Sequence, residues 1–521
     1  MSDKTTGGAG IGRRDFLKVT AAGAALLLPA SVRAAAAEPR KGGILKLAMP
    51  YNPAALDPMT GRNLPDFNTL FCLYDALIDF DPDTLELKPG LAKAWKFTDP
   101  KTLVLDLVDG ISFHDGSPLT PGVVKFNLDR YKSDKRSNVK PDLATVASVE
   151  VTGKSQVTLH LTKPNSGLPA ILTNRAGLMV SMKSIQAAKG GNVDRAPVGT
   201  GPFTFVSWQD NDKITLTRNK TYWRGGGLPY LEGVELRIIN ELNTGARTVI
   251  AGETQLAFNM GVTQKLEADK IKGLVATASP ALLFFGAHLN YAQGPMKDVR
   301  IRQALNWGIN REEINQVIMH GLGEPSSFIM PKNFWATDPA TFDYYSYDPG
   351  RAKKLLAEAG FANGITITSW GWPDQASMQR QELIVTQLAK VGIHVKLTAQ
   401  SPVQVATQFY LQKHGDMYIA PSGGYPDPTQ YYDALYAKDA LLNAASIELP
   451  GYRALTDATS EAQTQDARKA AFAKLQRFTI EQAMELPQYI SPGITIRSEK
   501  VQNFRFGLLQ SPKFTEVWLA A

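Results

Sequence analysis

Apolar residues recur at every second position through much of the first half of the chain and at helical spacing through the second. Leu103, Leu105 and Leu107 run into Asp109-Gly110, a turn signal; Val157, Leu159 and Leu161 repeat the pattern, as do Val234, Leu236 and Ile238. A period of two puts those side chains on one face of a strand. The stretch from Glu38 to about Val206 is therefore predicted to be strand-rich. One helix is expected there, over Pro121–Tyr131, with Pro121 in the first turn where a missing N–H breaks no bond.

From about Phe284 the period lengthens. Asp298 can cap a helix whose apolar face is Ile301, Ala304, Leu305, Gly308 and Ile309. Asn310 opens the next: its side chain can accept from the Glu313 amide while Glu313 reaches back, a capping box, with Ile309 and Ile314 as the staple and Gly321 as the stop. Asp348-Pro349 starts a third helix with Ala352, Leu355, Leu356 and Ala359 on one face and Gly360 closing it. Ile365 and Ile367 read as a strand, Met378–Val391 as a helix, and Ile393, Val395 and Leu397 as a further strand. Strand, helix, strand with short connections is a right-handed parallel crossover unit. A β-rich α/β portion is thus followed by a helix-rich α/β portion, with no internal repeat or low-complexity linker.

Composition narrows the classes. With 521 residues, 44% hydrophobic and 20% charged, the chain can fill several cores and is not a mainly disordered protein. Its one cysteine, Cys72, excludes an intramolecular disulfide framework and every multi-cysteine metal site; between Phe71 and Leu73 it reads as a buried apolar residue. The net charge of +7 is mild for this length and no run of five basic residues occurs, so no nucleic-acid partner is expected.

Residues 1–37 read as an export signal. Arg13-Arg14-Asp15-Phe16-Leu17-Lys18 is a twin-arginine pattern, Val19–Ala30 is an apolar stretch too short to span a bilayer, and Ala34–Ala37 offers small residues for cleavage before Glu38. Export by the twin-arginine route to the periplasm is the expectation, with an uncleaved N-terminal anchor as the alternative.

An ordered set of short blocks resembles the periplasmic solute-binding proteins of peptide/nickel-type ABC importers. Lys41-Gly42-Gly43-Ile44-Leu45, Leu56-Asp57-Pro58, Leu73-Tyr74-Asp75-Ala76-Leu77 and Leu91-Ala92-Lys93-Ala94-Trp95 come first. Phe113-His114-Asp115-Gly116-Ser117-Pro118-Leu119-Thr120, Pro197–Phe203 and Asn219–Trp223 follow, then Asp298–Leu305 and Tyr425-Pro426-Asp427-Pro428. The resemblance implies an α/β, two-lobed fold of class C type with an extra β-rich subdomain, hinged around a central cleft. Lobe I would comprise residues 38–77, 197–280 and 488–521, the extra subdomain 78–196, and lobe II 281–487. It also implies a receptor for a small organic solute that hands its cargo to an inner-membrane ABC permease, as a monomer, without a cofactor and without catalysis.

Candidate chemistry agrees with a binding role. His114-Asp115 precedes a turn and reads as a structural loop. The six histidines lie at least twenty residues apart in sequence, so no zinc-hydrolase pair exists; His414 is the one candidate to touch a ligand that arrives chelated to metal. Gly7–Gly12 follows no strand, Gly199-Thr200-Gly201-Pro202 lacks the rest of a phosphate loop, and no Gly-x-Ser-x-Gly elbow occurs. The rival reading, an exported hydrolase of peptides or glycans, has no recognisable constellation behind it. Trp370 and Trp372, around Gly371, and Tyr425 lie where connecting loops would face the cleft; with Asn290, Asp427 and Tyr431 they form the expected ligand-binding set. Peptide binders of the family often hold the amine with an acid three positions before the Asp of Asp-Pro, and some hold the carboxylate with an arginine in the loop matching Ser369–Asp374. Here those places carry Gly424 and the tryptophans. Either short zwitterionic peptides bind weakly, or other residues replace both anchors. The aromatic wall suits ring faces, including sugars, capped peptides and aromatic metabolites.

Overall fold

The structure is a computed structural model that describes residues 38–61 and 64–521; the stretch 1–37, read from sequence as an export signal, lies outside them. Residues Arg40–Ala521 form one compact unit, organised by two large sheets. The first has seven strands in the order Leu274–Ser279, Gly493–Ser498, Leu256–Phe258, Ile44–Met49, Gly233–Ile238, Lys213–Arg218 and Phe203–Gln209. The second has six: Glu324–Pro325, Glu485–Ile490, Leu283–Leu289, Met417–Gly423, Ile365–Gly371 and Ile393–Ala399. The chain passes from the first to the second at 280–282 and returns at Ser491-Pro492. The sequence reading put the return near 488. Gln488–Ile490 instead continue the lobe II strand, because Tyr489 and Ile490 are buried against its sheet and an early exit would expose both.

The alternating leucines behave as their period requires. Thr102–Leu107 and Gln156–Leu161 are adjacent antiparallel strands of a separate four-stranded sheet. Leu103, Leu105, Leu107, Val157, Leu159 and Leu161 bury one face under Val124, Leu128 and Tyr131 of the helix Pro121–Ser133, which Thr120 caps. Ile365–Gly371 and Ile393–Ala399 pair in parallel around the helix Gln375–Ala389. That helix starts three residues earlier than its apolar pattern, since Asp374 caps it by accepting from the Ser377 amide at 3.0 Å.

One cap differs from its sequence reading. Asn310 does accept from the Glu313 amide at 3.1 Å, but Glu313 does not reach back. Gln387, from the helix Gln375–Ala389, accepts from the Asn310 amide at 2.9 Å and donates to Glu313 Oε2 at 2.8 Å. A tertiary neighbour has taken half of the local motif. The faces of these helices meet one side of the six-stranded sheet in a core that includes Ile301, Leu305, Ile314, Leu356, Ile384 and Leu388.

Candidate functional site

The opposite side of the six-stranded sheet carries rings. Neighbouring strands present Phe284, His288 and Tyr418, and the segments that cover them present Tyr410, Tyr425 and Tyr431. Trp372 donates from Nε1 to the Tyr418 hydroxyl at 2.6 Å. From there edge contacts run Tyr418 to Tyr410 (5.8 Å), Tyr410 to His288 (6.0 Å), His288 to Phe284 (5.9 Å), Phe284 to Tyr431 (6.2 Å) and Tyr431 to Tyr425 (6.0 Å). These spacings are those of favourable edge-to-face pairs. Trp372 and Tyr425, two of the three aromatic residues singled out from the sequence, are thus the ends of one largely buried aromatic band.

Its Tyr425 end opens on a crevice lined by Leu282, Ile329, Met330, Phe334, Gly424, Tyr425, Pro428 and Tyr431, enclosing about 10 Å³. That is the space of roughly one water, which needs ~10–15 Å³. A solute can enter only if the walls separate, and Leu282, on the connection between the lobes, is one of them.

Two charged side chains near the four-stranded sheet, outside the crevice lining, lie within electrostatic reach of Tyr425. Asp142, just after Pro141, accepts from Gln430 Nε2 of lobe II at 2.8 Å. Arg175 lies 3.9 Å from Asp142, and its guanidinium is 5.7 Å from the ring centre of Phe67. Burial pushes the Asp142 carboxyl upward, against the charge of Arg175 and the Gln430 hydrogen bond, which pull it down. The Tyr425 phenol, also raised mainly by burial, feels Asp142 and Arg175 in opposite directions. One acid and one base from lobe I therefore stand beside an aromatic wall from lobe II.

The remaining expected ligand contacts sit elsewhere. Asp427 is fully buried: it accepts from the Thr429 amide at 2.9 Å, caps the helix Pro428–Tyr436 and pairs with Arg468 at 2.7 Å. Asn290 holds a turn, donating to the Lys413 carbonyl at 3.2 Å. In this structure neither offers a group to the crevice. Trp370 donates to the His414 carbonyl at 2.7 Å, beside the band rather than in it. His414 is exposed, with Nδ1 3.2 Å from Gln408 Oε1. Among the described residues no group of three or more His, Cys, Asp or Glu side chains is placed to hold a metal. His114 sits in its loop with Nε2 3.0 Å from the Gly201 carbonyl, while Nδ1 accepts from the Gly199 amide at 3.3 Å. Cys72 is buried and burial pushes its thiol up. A wider hollow of about 320 Å³ lies on lobe I around Ala54, Asp57, Arg136 and Asp194. Its charges already have partners: Asp57 has Arg130, Arg136 has Asp134, and Asp194 accepts from the Leu56 and Asp57 amides.

Asp142 and Arg175 were missed from sequence. The available signal was Arg175 itself, the one charge in the stretch Leu168–Val180.

Two sheets joined by two short crossings define a hinged two-lobed binding protein. Residues 86–442 match the middle region of the bacterial extracellular solute-binding proteins, family 5, and the chain belongs to that family. The glutathione-binding protein GsiB of Pectobacterium atrosepticum is 30% identical over 357 residues, 68% of each chain. GsiB of Escherichia coli strain K12 is 29% identical over 368 residues, 70% of each chain. Among solved structures, the periplasmic binding protein DppA from Helicobacter pylori in complex with the peptide STSA superposes with a TM-score of 0.83 at 24% identity, covering 92% of this chain and 99% of that one. The chain is accordingly the extracytoplasmic substrate-binding component of an ABC importer: it captures a peptide or other small organic solute and delivers it to an inner-membrane permease.

Proposed function

We propose that the solute is a small peptide-like zwitterion, held at the crevice between the aromatic wall of Tyr425 and Tyr431 and the charged pair Asp142 and Arg175. The pair carries the reading. At 3.9 Å the two groups are too far apart for a direct hydrogen bond, so a ligand carboxylate can approach Arg175 and an ammonium Asp142 without breaking one. They would replace the anchors missing at Gly424 and in the Ser369–Asp374 loop. The named ligands of the relatives, glutathione and peptides, carry both charges and support the same class. Binding is by hinged closure, because contacts from both lobes favour the closed state over the open one. The protein acts as a monomer, without catalysis, in the periplasm after twin-arginine export. Lobe I comprises 38–77, 197–280 and the chain after the return, with 78–196 as its extra subdomain.

Calorimetric titration with glutathione and a di- and tripeptide panel, each with free and with blocked termini, tests this. Free termini are expected to bind more tightly, R175Q to weaken binding at least about tenfold, equivalent to ~1.4 kcal/mol, and the solute to be recovered unchanged. Equal affinity for blocked and free forms, with R175Q silent, overturns the proposal in favour of an apolar or ring-bearing ligand.

A further inference from the structure

The extra subdomain touches lobe II at a second place, on the helix Tyr452–Glu461. Lys163 Nζ lies 2.6 Å from Asp457, and the Ser166 amide donates to the Ser460 carbonyl at 2.9 Å. Both partners are on the helix Tyr452–Glu461, three positions apart and so on one face. Next to Ser166, Gly167 lies flat on the Asp427 carboxylate: a Cβ built on Gly167 would fall 2.6–2.7 Å from its Cγ and both oxygens. That carboxylate cannot step aside. It is fixed by Arg468 and by the Thr429 amide, Arg468 donates onward to the Thr459 carbonyl, and the Thr429 and Thr459 hydroxyls are 3.0 Å apart. On the other side, Asn165 holds the loop rigid, accepting from the Gly167 amide at 3.2 Å and donating to Thr145 Oγ1 at 3.0 Å.

We infer that Lys163–Gly167 is a latch, seated on the Asp427–Arg468 pair, that holds the extra subdomain closed on lobe II without help from the solute. Gly167 is its positioning residue for a specific reason. Its backbone has φ −80° and ψ −12°, which any residue adopts, so conformation does not require glycine. Contact with Asp427 does. Asp427 serves binding from a distance: it shapes the seat for closure rather than touching the solute. A latch of this kind raises the closed fraction in the free protein and strengthens all solutes by the same factor, leaving discrimination to the crevice.

The test needs no solute, so its failure is separate from that of the zwitterion proposal. Labels at K154C and K353C report the separation of subdomain and lobe II, since both lysines are exposed and Cys72 is buried. In solute-free protein, G167A should move the distance distribution to longer values at unchanged molecular mass and unchanged far-UV circular dichroism. K163D should shift it the same way, and the swapped pair K163D with D457K should restore it. If G167A fails to fold, the swap series alone decides. A solute-free wild type already dominated by the long distance, or a short distance that none of these variants changes, overturns the latch.

Discussion

Gln381 Oε1 stands where a side chain on Gly371 would begin: a Cβ built there would lie 1.2 Å from it. Gln381 is fully buried and donates through Nε2 to the Trp372 carbonyl at 2.8 Å, so the glycine between the two tryptophans exists to admit the amide that holds the second. G371A must displace Gln381 and break that bond. It should lower stability by about 1–3 kcal/mol in denaturant unfolding, as overpacking does. Freed from its carbonyl tether, Trp372 should also change its fluorescence emission. An unchanged midpoint would show that the amide relocates without cost.

Asp427 and Arg468 should matter to the fold before they matter to solute choice. Removing one partner of a buried pair leaves the other charge uncompensated, at ~3–5 kcal/mol. D427A and R468M should each show a loss of that order in the unfolding midpoint. Because they share one interaction, the double variant should lose less than the sum of the two. Full additivity in that cycle would show that the two side chains act independently.

The sequence made the local structure legible and the site only in part. Strands whose leucines alternate, and helices opened by Asp298, Asn310 and Asp348, could be read because each signal spans a few residues. Gln387 taking the reciprocal cap from Glu313 could not, since its partner Asn310 is 77 positions away. The same limit hid Asp142, whose lobe II partner Gln430 is 288 positions off. The Asp-Pro step drew attention to Asp427, but its role at the N-terminus of a helix explains that residue without any ligand. Tyr425 and Trp372 were singled out because aromatic residues flanked by Gly and Pro stand out. That a histidine and a phenylalanine join them into one band is a property of sheet register, with His288 opposite Tyr418 across adjacent strands.

His114 should make stability depend on pH. Nδ1 accepts from the Gly199 amide, so the proton sits on Nε2 and the ring is neutral; burial, the largest cause, holds its pKa below the ordinary 6.5. The unfolded chain therefore takes up a proton at a higher pH than the folded one. Stability from this group is present above 6.5 and is lost as pH falls from there towards the lowered folded value. H114Q should flatten that part of the curve of thermal midpoint against pH. Equal slopes in wild type and variant would place the proton uptake elsewhere.

Glu485 should produce the opposite slope. It is buried behind the aromatic band with Oε1 3.1 Å from His288 Nδ1, and burial raises its pKa above 4.5, more than His288 and Tyr436 pull it back. The folded state therefore binds the proton more tightly than the unfolded chain. Its contribution is complete below the unfolded value of 4.5 and is lost as pH rises through the raised folded value. E485Q keeps the shape and abolishes the titration, so its stability relative to wild type should improve steadily with pH across that window. Removing His288 takes away the hydrogen-bonded partner that lowers Glu485, which moves the folded value higher still. H288Q should then extend the loss to higher pH, and H288Q with E485Q should erase it. Unfolding free energies of the four proteins across a pH series check this, and a loss that persists in the double variant would assign the slope to some other group.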